Sequence, residues 1–92
     1  MLEELRKAPR RTVGTKQTAR AVEKGEAVAV FVARDAEPHV VRQLVSQCRQ
    51  KGIQVHEIDT MRELGLSCGV KVGAASAAIL GPRTGPWGAA NR

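Results

Sequence analysis

The stretch AVAVFVA, residues 27–33, limits how this chain can fold more than any other feature. It is the longest uninterrupted apolar run in the sequence, and it is rich in Val. Seven residues are too few for a typical buried helix, whereas a strand with both faces covered has this length and composition. Such a strand needs partners packed on both faces of its sheet. Together with the helices and strands that alternate along the rest of the chain, the run predicts an α/β fold in which helices cover a central sheet.

The segments before this strand predict a helix, an edge strand and a second helix. LEELRKA, residues 2–8, favours a short helix that Pro9 ends, because proline cannot continue the backbone ladder. RRTVG, residues 10–14, is typical of an edge strand. Thr15 is the predicted N-cap of a helix over 16–24, since its hydroxyl can accept a free backbone N–H. Gly25 stands where a C′ glycine is expected.

The segments after the apolar run continue the alternation. Pro38 opens a predicted helix over 38–51, where apolar residues recur at helical spacing. Strands are predicted over 53–58 and 74–80, with a short helix starting after the capping pair Thr60 and Glu63 between them. The expected architecture is a three-layer α/β/α sandwich with a small mixed central sheet of about four strands.

Composition bears on the partner and the compartment. Fifteen Lys and Arg against nine Asp and Glu give a net charge of +6 and a pI near 10.2, which favours a polyanionic partner. No stretch has the roughly 20 apolar residues of a membrane span, and MLEELRKAPRR lacks the apolar region of a signal peptide. We expect a cytoplasmic protein without a membrane partner. Cys48 and Cys68 match no zinc spacing. We expect no metal site and no cofactor.

No constellation in the sequence predicts catalysis. His39 and His56 stand alone, and no Walker or G-x-G-x-x-G motif occurs. Asp35 and Glu37 resemble paired carboxylates, but they lie at a predicted helix start, where capping and the helix dipole explain them. Cys48 falls on the apolar face of its helix, which favours packing over reactivity. The sequence therefore predicts a binding protein rather than an enzyme.

A cluster of cations near the N-terminus is the best candidate for a binding surface. Six positive charges lie between Arg6 and Arg20, and none of residues 5–22 is acidic. Lys16 and Arg20 are four residues apart and share a helix face, with Gln17 adjoining them. Two cations and an amide beside free helix N–H groups suit phosphates and base edges. A solvated basic face is the alternative interpretation.

From Gly14 to Leu80 the sequence resembles the kink-turn-binding ribosomal protein family called L-seven-Ae, most closely its small stand-alone bacterial branch. The matching stretches are GTKQTARAVEKGEA, VFVARDAEP and LGLSCGVKVGAASAAIL. The resemblance implies the same sandwich fold and the binding of kink-turn RNA, a duplex bent at a bulge beside tandem G·A pairs. It implies a monomeric, non-enzymatic protein bound to structured RNA, with ribosomal RNA among the candidates.

The resemblance also implies which residues bind RNA. The family motif Gly-x-Asn-Glu-x-x-Lys corresponds to Gly14, Lys16, Gln17 and Arg20, so Lys-Gln replaces Asn-Glu. Thr15 helps to present the helix. A second contact, which holds an extruded bulge nucleotide, corresponds to the loop Val70, Lys71, Val72 and Gly73. We expect Arg10 and Arg11 to contact phosphates.

Alternatives remain open at this stage. The alternative interpretation makes Gly14 a turn glycine, Gln17 and Thr18 ordinary exposed helix residues, and Val70 and Val72 core residues. The same fold also serves protein-binding stress or regulatory adaptors, for which the tail around Trp87 would be a peptide ligand. Residues 1–80 are expected to form one RNA-binding domain. The Gly- and Pro-rich segment 81–92 is expected to be a flexible tail.

Overall fold

Four strands and four helices alternate in the computed structural model, which describes residues 2–81. The sheet has the order β1-β4-β2-β3, in which β2 and β3 are parallel and β4 is antiparallel to both β1 and β2. This mixed four-stranded sheet confirms the predicted fold class, with β1 at the predicted edge. The elements are α1 (Leu2–Lys7), β1 (Arg11–Val13), α2 (Thr15–Glu23), β2 (Ala27–Ala33), α3 (Pro38–Lys51), β3 (Gln54–Ile58), α4 (Met61–Ser67) and β4 (Ser76–Leu80).

Helices cover both faces of the sheet, as a strand that is apolar on both sides requires. On one face, α1 and α4 pack Leu5 and Leu64 into a cluster with Phe31 of β2. On the other face, α2 and α3 pack Val22 and Leu44 into a second cluster that includes alternate residues of β2. The alternation of β2 residues between the clusters follows the two-residue period of a strand.

The prediction that β2 is buried along its whole length is wrong at its beginning. Val28 is 43% exposed, and the pairing of β2 with β4 shifts register between Ala27 and Ala29. An irregularity of this kind leaves one residue out of the ladder and turns its side chain away from the regular faces. The strand is buried at Ala27 and then without interruption from Val30 to Ala33.

Several predicted helix ends are confirmed. Glu37 caps α3 by accepting a hydrogen bond from the backbone N–H of His39 at 2.9 Å, and Gly52 ends this helix with a φ of 71°. Thr60 accepts from the backbone N–H of Glu63 at 3.0 Å. Asp35 accepts from the backbone N–H of Met61 at 2.7 Å, so it caps α4 rather than the helix that follows it in sequence. These contacts account for Asp35 and Glu37 as structural residues.

The prediction of Thr15 as an N-cap is wrong. The helix begins at Thr15, the N-cap position is Gly14, and no side chain caps it. Gly14 has φ 97° and ψ 153°, a conformation that residues with a side chain rarely adopt. This glycine turns the chain sharply from β1 into α2. The Thr15 hydroxyl therefore lies beside β4, where it accepts a hydrogen bond from the Ser76 hydroxyl at 3.1 Å.

The strand directions bring several connections to one edge of the sheet. Strands β1, β2 and β3 end at this edge and β4 begins there, because Val13 pairs with Ala77 and Ala33 pairs with Ile58. We call it the upper edge. The starts of α2, α3 and α4 and the segment before β4 all lie along it. The predicted tail beyond Gly81, including Trp87, lies outside the described residues.

Candidate nucleic-acid interface

The start of α2 is fastened to β4 at the upper edge. The backbone N–H of Gly14 donates to the Ser76 carbonyl at 2.8 Å, and the Ser76 hydroxyl donates to the Thr15 hydroxyl. Ser76 is only 1% exposed, so the β4 side of these contacts is buried. They fix where the helix begins relative to the sheet.

The inner side of α2 is anchored by a buried polar pair and by apolar packing. The hydroxyls of Thr18 and Thr12 form a hydrogen bond of 2.8 Å, and Thr18 has no exposed surface. Ala21 and Val22 are buried on the same side. The helical period then directs Lys16, Gln17 and Arg20 to solvent, and all three are exposed.

The N-terminal backbone of α2 offers donors beside these side chains. The first hydrogen bond within the helix runs from the N–H of Thr18 to the Gly14 carbonyl at 3.0 Å. The N–H groups of the first turn, residues 15–17, precede that ladder, and no side chain within residues 2–81 caps them. Two cations, one amide and free backbone N–H groups therefore meet at one exposed point.

The loop predicted as the second contact lies on α4. The Val70 N–H donates to the Gly65 carbonyl and the Ala74 N–H to the Met61 carbonyl, each at 3.0 Å. Val70 is half-buried, while Lys71, Val72 and Gly73 are exposed. Val72 is 73% exposed, the largest exposed fraction among the large apolar side chains of residues 2–81. The loop therefore presents an apolar side chain and a cation to solvent.

Two glycines allow the loop to lie this close to α4. A Cβ at Gly65 would lie 2.2 Å from the Val72 carbonyl oxygen, and a Cβ at Gly73 would lie 3.0 Å from Cβ of Met61. Sequence reasoning placed Gly73 in the loop but missed the role of Gly65. The available signal was a glycine inside a predicted helix, which often marks close backbone approach.

The sheet brings the two predicted contact segments to the same edge. The loop continues through Ala74 and Ala75 into β4, whose first residue, Ser76, holds Gly14 and Thr15. The N–H of Ala33 donates to the Ala75 carbonyl at 2.9 Å, which ties this connection to β2 as well. The start of α2 and the loop are thus neighbours supported by one strand end.

The two arginines predicted to contact phosphates make contacts within the protein. Arg10 is half-buried and donates to the Gly81 carbonyl, at the end of β1 opposite to α2. Arg11 donates to the carbonyls of Ala8 and Cys68, each at 3.1 Å. It therefore links the end of α1 to Cys68, the residue that follows α4 and leads into the loop. The structure therefore does not bring Arg10 together with the start of α2, and it gives Arg11 a role in supporting the loop.

Both cysteines are free and buried. Burial raises the pKa of the Cys48 thiol. Burial also raises the pKa of Cys68, although the positive charge of Arg11 partly opposes this. These environments stabilise the protonated thiols, as expected for packing residues. Within residues 2–81 no group of three or more potential metal ligands comes together, and no helix is long and apolar enough to cross a membrane.

Comparison with known proteins identifies the family. The family model described as "Ribosomal protein L7Ae/L30e/S12e/Gadd45 family" matches residues 1–84. The chain belongs to this family. The resemblance noted in the sequence is thereby confirmed, and so is the expectation of a non-enzymatic protein, since the family and its matching relatives are binding and ribosomal proteins.

Its relatives in the L7Ae family include bacterial and archaeal proteins. An RNA-binding protein of Caldanaerobacter subterraneus is 50% identical over 76 residues, which cover 82% of this chain and 93% of the relative. The large ribosomal subunit protein eL8 of Halobacterium salinarum is 43% identical over 73% of this chain and 57% of its own length. The Giardia lamblia 15.5kD RNA binding protein superimposes with a TM-score of 0.79 at 28% identity, covering 88% of this chain and 71% of that one.

Proposed function

We propose that this protein is a non-enzymatic RNA-binding protein that recognises and stabilises kink-turn RNA at the upper edge of its sheet. Family membership and relatives named as RNA-binding proteins support RNA as the class of ligand. The proposal describes a cytoplasmic monomer bound to structured RNA, such as ribosomal RNA or another ribonucleoprotein RNA. Residues 1–80 form its binding domain.

The observation that carries the proposal is the proximity of two different contact surfaces. The start of α2 offers cations, an amide and free N–H groups, and the neighbouring loop offers the exposed Val72. In the proposal, Lys16 and Arg20 bind phosphates and guanine acceptors, while Gln17 reads a base edge. Gly14 and Thr15 present the helix, Lys71 adds phosphate attraction, and Val70, Val72 and Gly73 form the surface that receives an extruded base.

A bend in the RNA explains why both surfaces are needed. The major groove of regular A-form RNA is too narrow for side chains, so sequence readers use bulges and unpaired bases. A kink opens the groove to the end of a helix and extrudes a nucleotide at the same place. A protein that binds the bent form better shifts the population towards it, without needing to force the bend.

The substitution Gln17→Ala tests this assignment. Loss of a specific base contact lowers affinity for kinked RNA by about 1–3 kcal/mol, or about 5- to 150-fold. Affinity for an unkinked duplex of the same length stays nearly unchanged, because a neutral amide adds little to phosphate binding. Gln54→Ala is the matched control, since Gln54 is also exposed but lies at the opposite end of the sheet. Equal losses on both RNAs would show that Gln17 reads no base.

The exposed apolar side chains also favour a second candidate function. Leu66 is 59% exposed on α4 and Val72 is 73% exposed on the adjoining loop, a pair that a protein-binding adaptor could offer to a partner. Capture of partners from cell extract with and without ribonuclease separates the two functions. Partners that persist after ribonuclease treatment, and that Val72→Ala releases, would favour the adaptor.

A further inference from the structure

The helices carry their net charge on only one face of the sandwich. Helices α2 and α3, which share a face, contain five basic side chains and one acidic side chain. Helices α1 and α4, on the other face, contain three of each. The positive charge of the described helices is therefore concentrated on the α2–α3 face. Charge this uneven is a feature of surfaces that meet a polyanion.

Helix α3 has an outer side without a single carboxylate. None of its 14 residues is acidic. The positions facing away from the buried Leu44 and Cys48 follow one another three or four residues apart, so they form a continuous strip. Solvated helix surfaces are typically stabilised by acidic and basic residues in alternation, which this strip lacks. We call it the α3 strip; its exposed members are His39, Arg42, Gln43, Ser46, Arg49 and Gln50.

The α3 strip adjoins the candidate site on α2. The side chain of Gln47 donates to the Ala19 carbonyl at 3.1 Å, which holds the two helices side by side. Both helices begin at the upper edge. A ligand seated at the start of α2 can therefore continue across α3 without leaving the molecule. Arg42 and Arg49 are seven residues apart, about 10 Å along the helix axis.

The cations of this face have no ion-pair partners in the described part of the chain. Within residues 2–81, no carboxylate lies within 4.0 Å of Arg42 or Arg49, or of Lys16 or Arg20 on α2. Elsewhere in the same range, Lys7 pairs with Glu3 and Arg34 pairs with both Glu57 and Asp59. The charges of the α2–α3 face are thus available to an external anion.

We propose that the α3 strip binds the phosphate–ribose backbone of an RNA duplex arm that extends from the kink. This proposal rests on the proposed function, because the arm is held in place by the contacts at α2. Arginines suit phosphate oxygens, and the amides and hydroxyl of the strip can donate to phosphates and exchange hydrogen bonds with ribose 2′-OH groups. The contacts carry no base preference. They add affinity and orientation to a site whose specificity lies at α2 and the loop.

The test compares two double variants of the full chain that remove the same charge. The first is Arg42→Gln with Arg49→Gln on the α3 strip, and the control is Arg6→Gln with Lys7→Gln on α1. All four side chains are exposed, and circular dichroism checks that both variants stay folded. Affinity for kinked RNA is measured over a series of salt concentrations. RNAs are used with both arms long, or with either arm shortened.

We expect the strip variant to reduce the log–log salt slope by up to about 2, since each phosphate contact contributes about 0.9. The control changes the slope by much less. When the arm that lies on the α3 strip is shortened, the strip variant and the wild type should bind the RNA with equal affinity. Equal salt slopes for the strip variant and the control would overturn the proposal. A loss of affinity that is the same for every arm length would overturn it too.

The failure of this proposal differs from failure of the proposed function. If the wild type binds kinked RNA and plain duplex equally well, the kink-turn function fails. A different result refutes only the role of the α3 strip: the wild type prefers kinked RNA, Gln17→Ala removes that preference, and the two double variants have the same salt slopes. A partner that needs Arg42 and Arg49 but resists ribonuclease would also overturn it, in favour of a protein partner.

Discussion

The close approach of the loop to α4 allows a sharp test at Gly65. A Cβ added there would lie 2.2 Å from the Val72 carbonyl oxygen and 3.2 Å from Cα of Gly73. A Cβ atom essentially never comes within 3.0 Å of a non-bonded heavy atom of another residue, so in Gly65→Ala the Val72 peptide must move by about 0.8 Å or more. Gly65 lies within a helix and has an ordinary negative φ, so the alanine backbone itself is not strained.

Two opposing contributions set the stability of Gly65→Ala. Alanine improves helix propensity by about 0.5–1 kcal/mol. Crowding against the loop costs about 1–3 kcal/mol. The free energy of unfolding should therefore fall by about 0–2.5 kcal/mol, measured by urea denaturation. The fold survives, because the clash involves a surface loop rather than the core.

The effect on RNA binding is the informative one. Val72 is 73% exposed, and full burial of a Val side chain contributes about 1.5–3 kcal/mol, so its burial by an extruded base contributes at most about 1–2 kcal/mol. Displacing the loop forfeits much of this. We expect Gly65→Ala to weaken binding of kinked RNA by up to about 30-fold. The loss should vanish with an RNA from which the bulge nucleotide has been deleted.

Leu66→Ala is the control for this experiment. Leu66 follows Gly65 on the same helix and is 59% exposed, so its truncation changes the surface without pushing the loop. Fluorescence anisotropy with labelled RNA measures all of these affinities. If Gly65→Ala binds bulged RNA as tightly as the wild type, the loop does not hold the bulge nucleotide. The same conclusion follows if Val72→Ala is without effect.

Further predictions concern the supports of the site and the buried thiols. Thr18→Val leaves the buried Thr12 hydroxyl without its partner and should lower the free energy of unfolding by about 1–3 kcal/mol, whereas the double change of both threonines to Val should recover part of that loss, as measured by urea denaturation. Arg11→Gln removes two donations to backbone carbonyls and should cost about 1–2 kcal/mol by the same measurement, with Arg6→Gln within about 0.5 kcal/mol of the wild type. Burial raises the pKa of Cys48 and Cys68, so the folded state favours the protonated thiols. Their contribution to the free energy of unfolding is therefore fully present below the ordinary thiol pKa of about 8.5, and it declines as the pH rises above that value. Iodoacetamide should accordingly modify both thiols slowly in the native protein and rapidly in denaturant; rapid native modification would contradict their burial.

The sequence was most informative where structure depends on neighbouring residues. The apolar run of β2, the Pro38 start and Gly52 end of α3, and the capping of α4 by Thr60 all follow from local pattern and local hydrogen bonding. Each was predicted within one or two residues. The three-layer architecture followed as well, because a strand buried on both faces leaves few alternatives.

Contacts between distant residues were not predictable in the same way. Thr15 has the chemistry of a cap, but its hydroxyl bonds Ser76, which is 61 positions away. Arg11 was predicted to contact phosphate because it is basic, and the fold adds a role that the sequence did not indicate: its guanidinium donates to the carbonyls of Ala8 and Cys68, the residues that follow α1 and α4. Gly65 matters only because the chain returns over it at Val72. Residue type indicates what a side chain can do, and the fold decides which partner it meets.

In the proposed function, the start of α2 and the neighbouring loop together stabilise a bent RNA. The most direct measurement is fluorescence energy transfer between dyes on the two arms of a kink-turn RNA, titrated with the wild-type protein in low-magnesium buffer. Transfer efficiency should rise to a plateau as protein binds, and deleting the bulge should abolish the rise. Saturable binding with no change in transfer, or equal affinity for the bulge-deleted RNA, would contradict the proposed function.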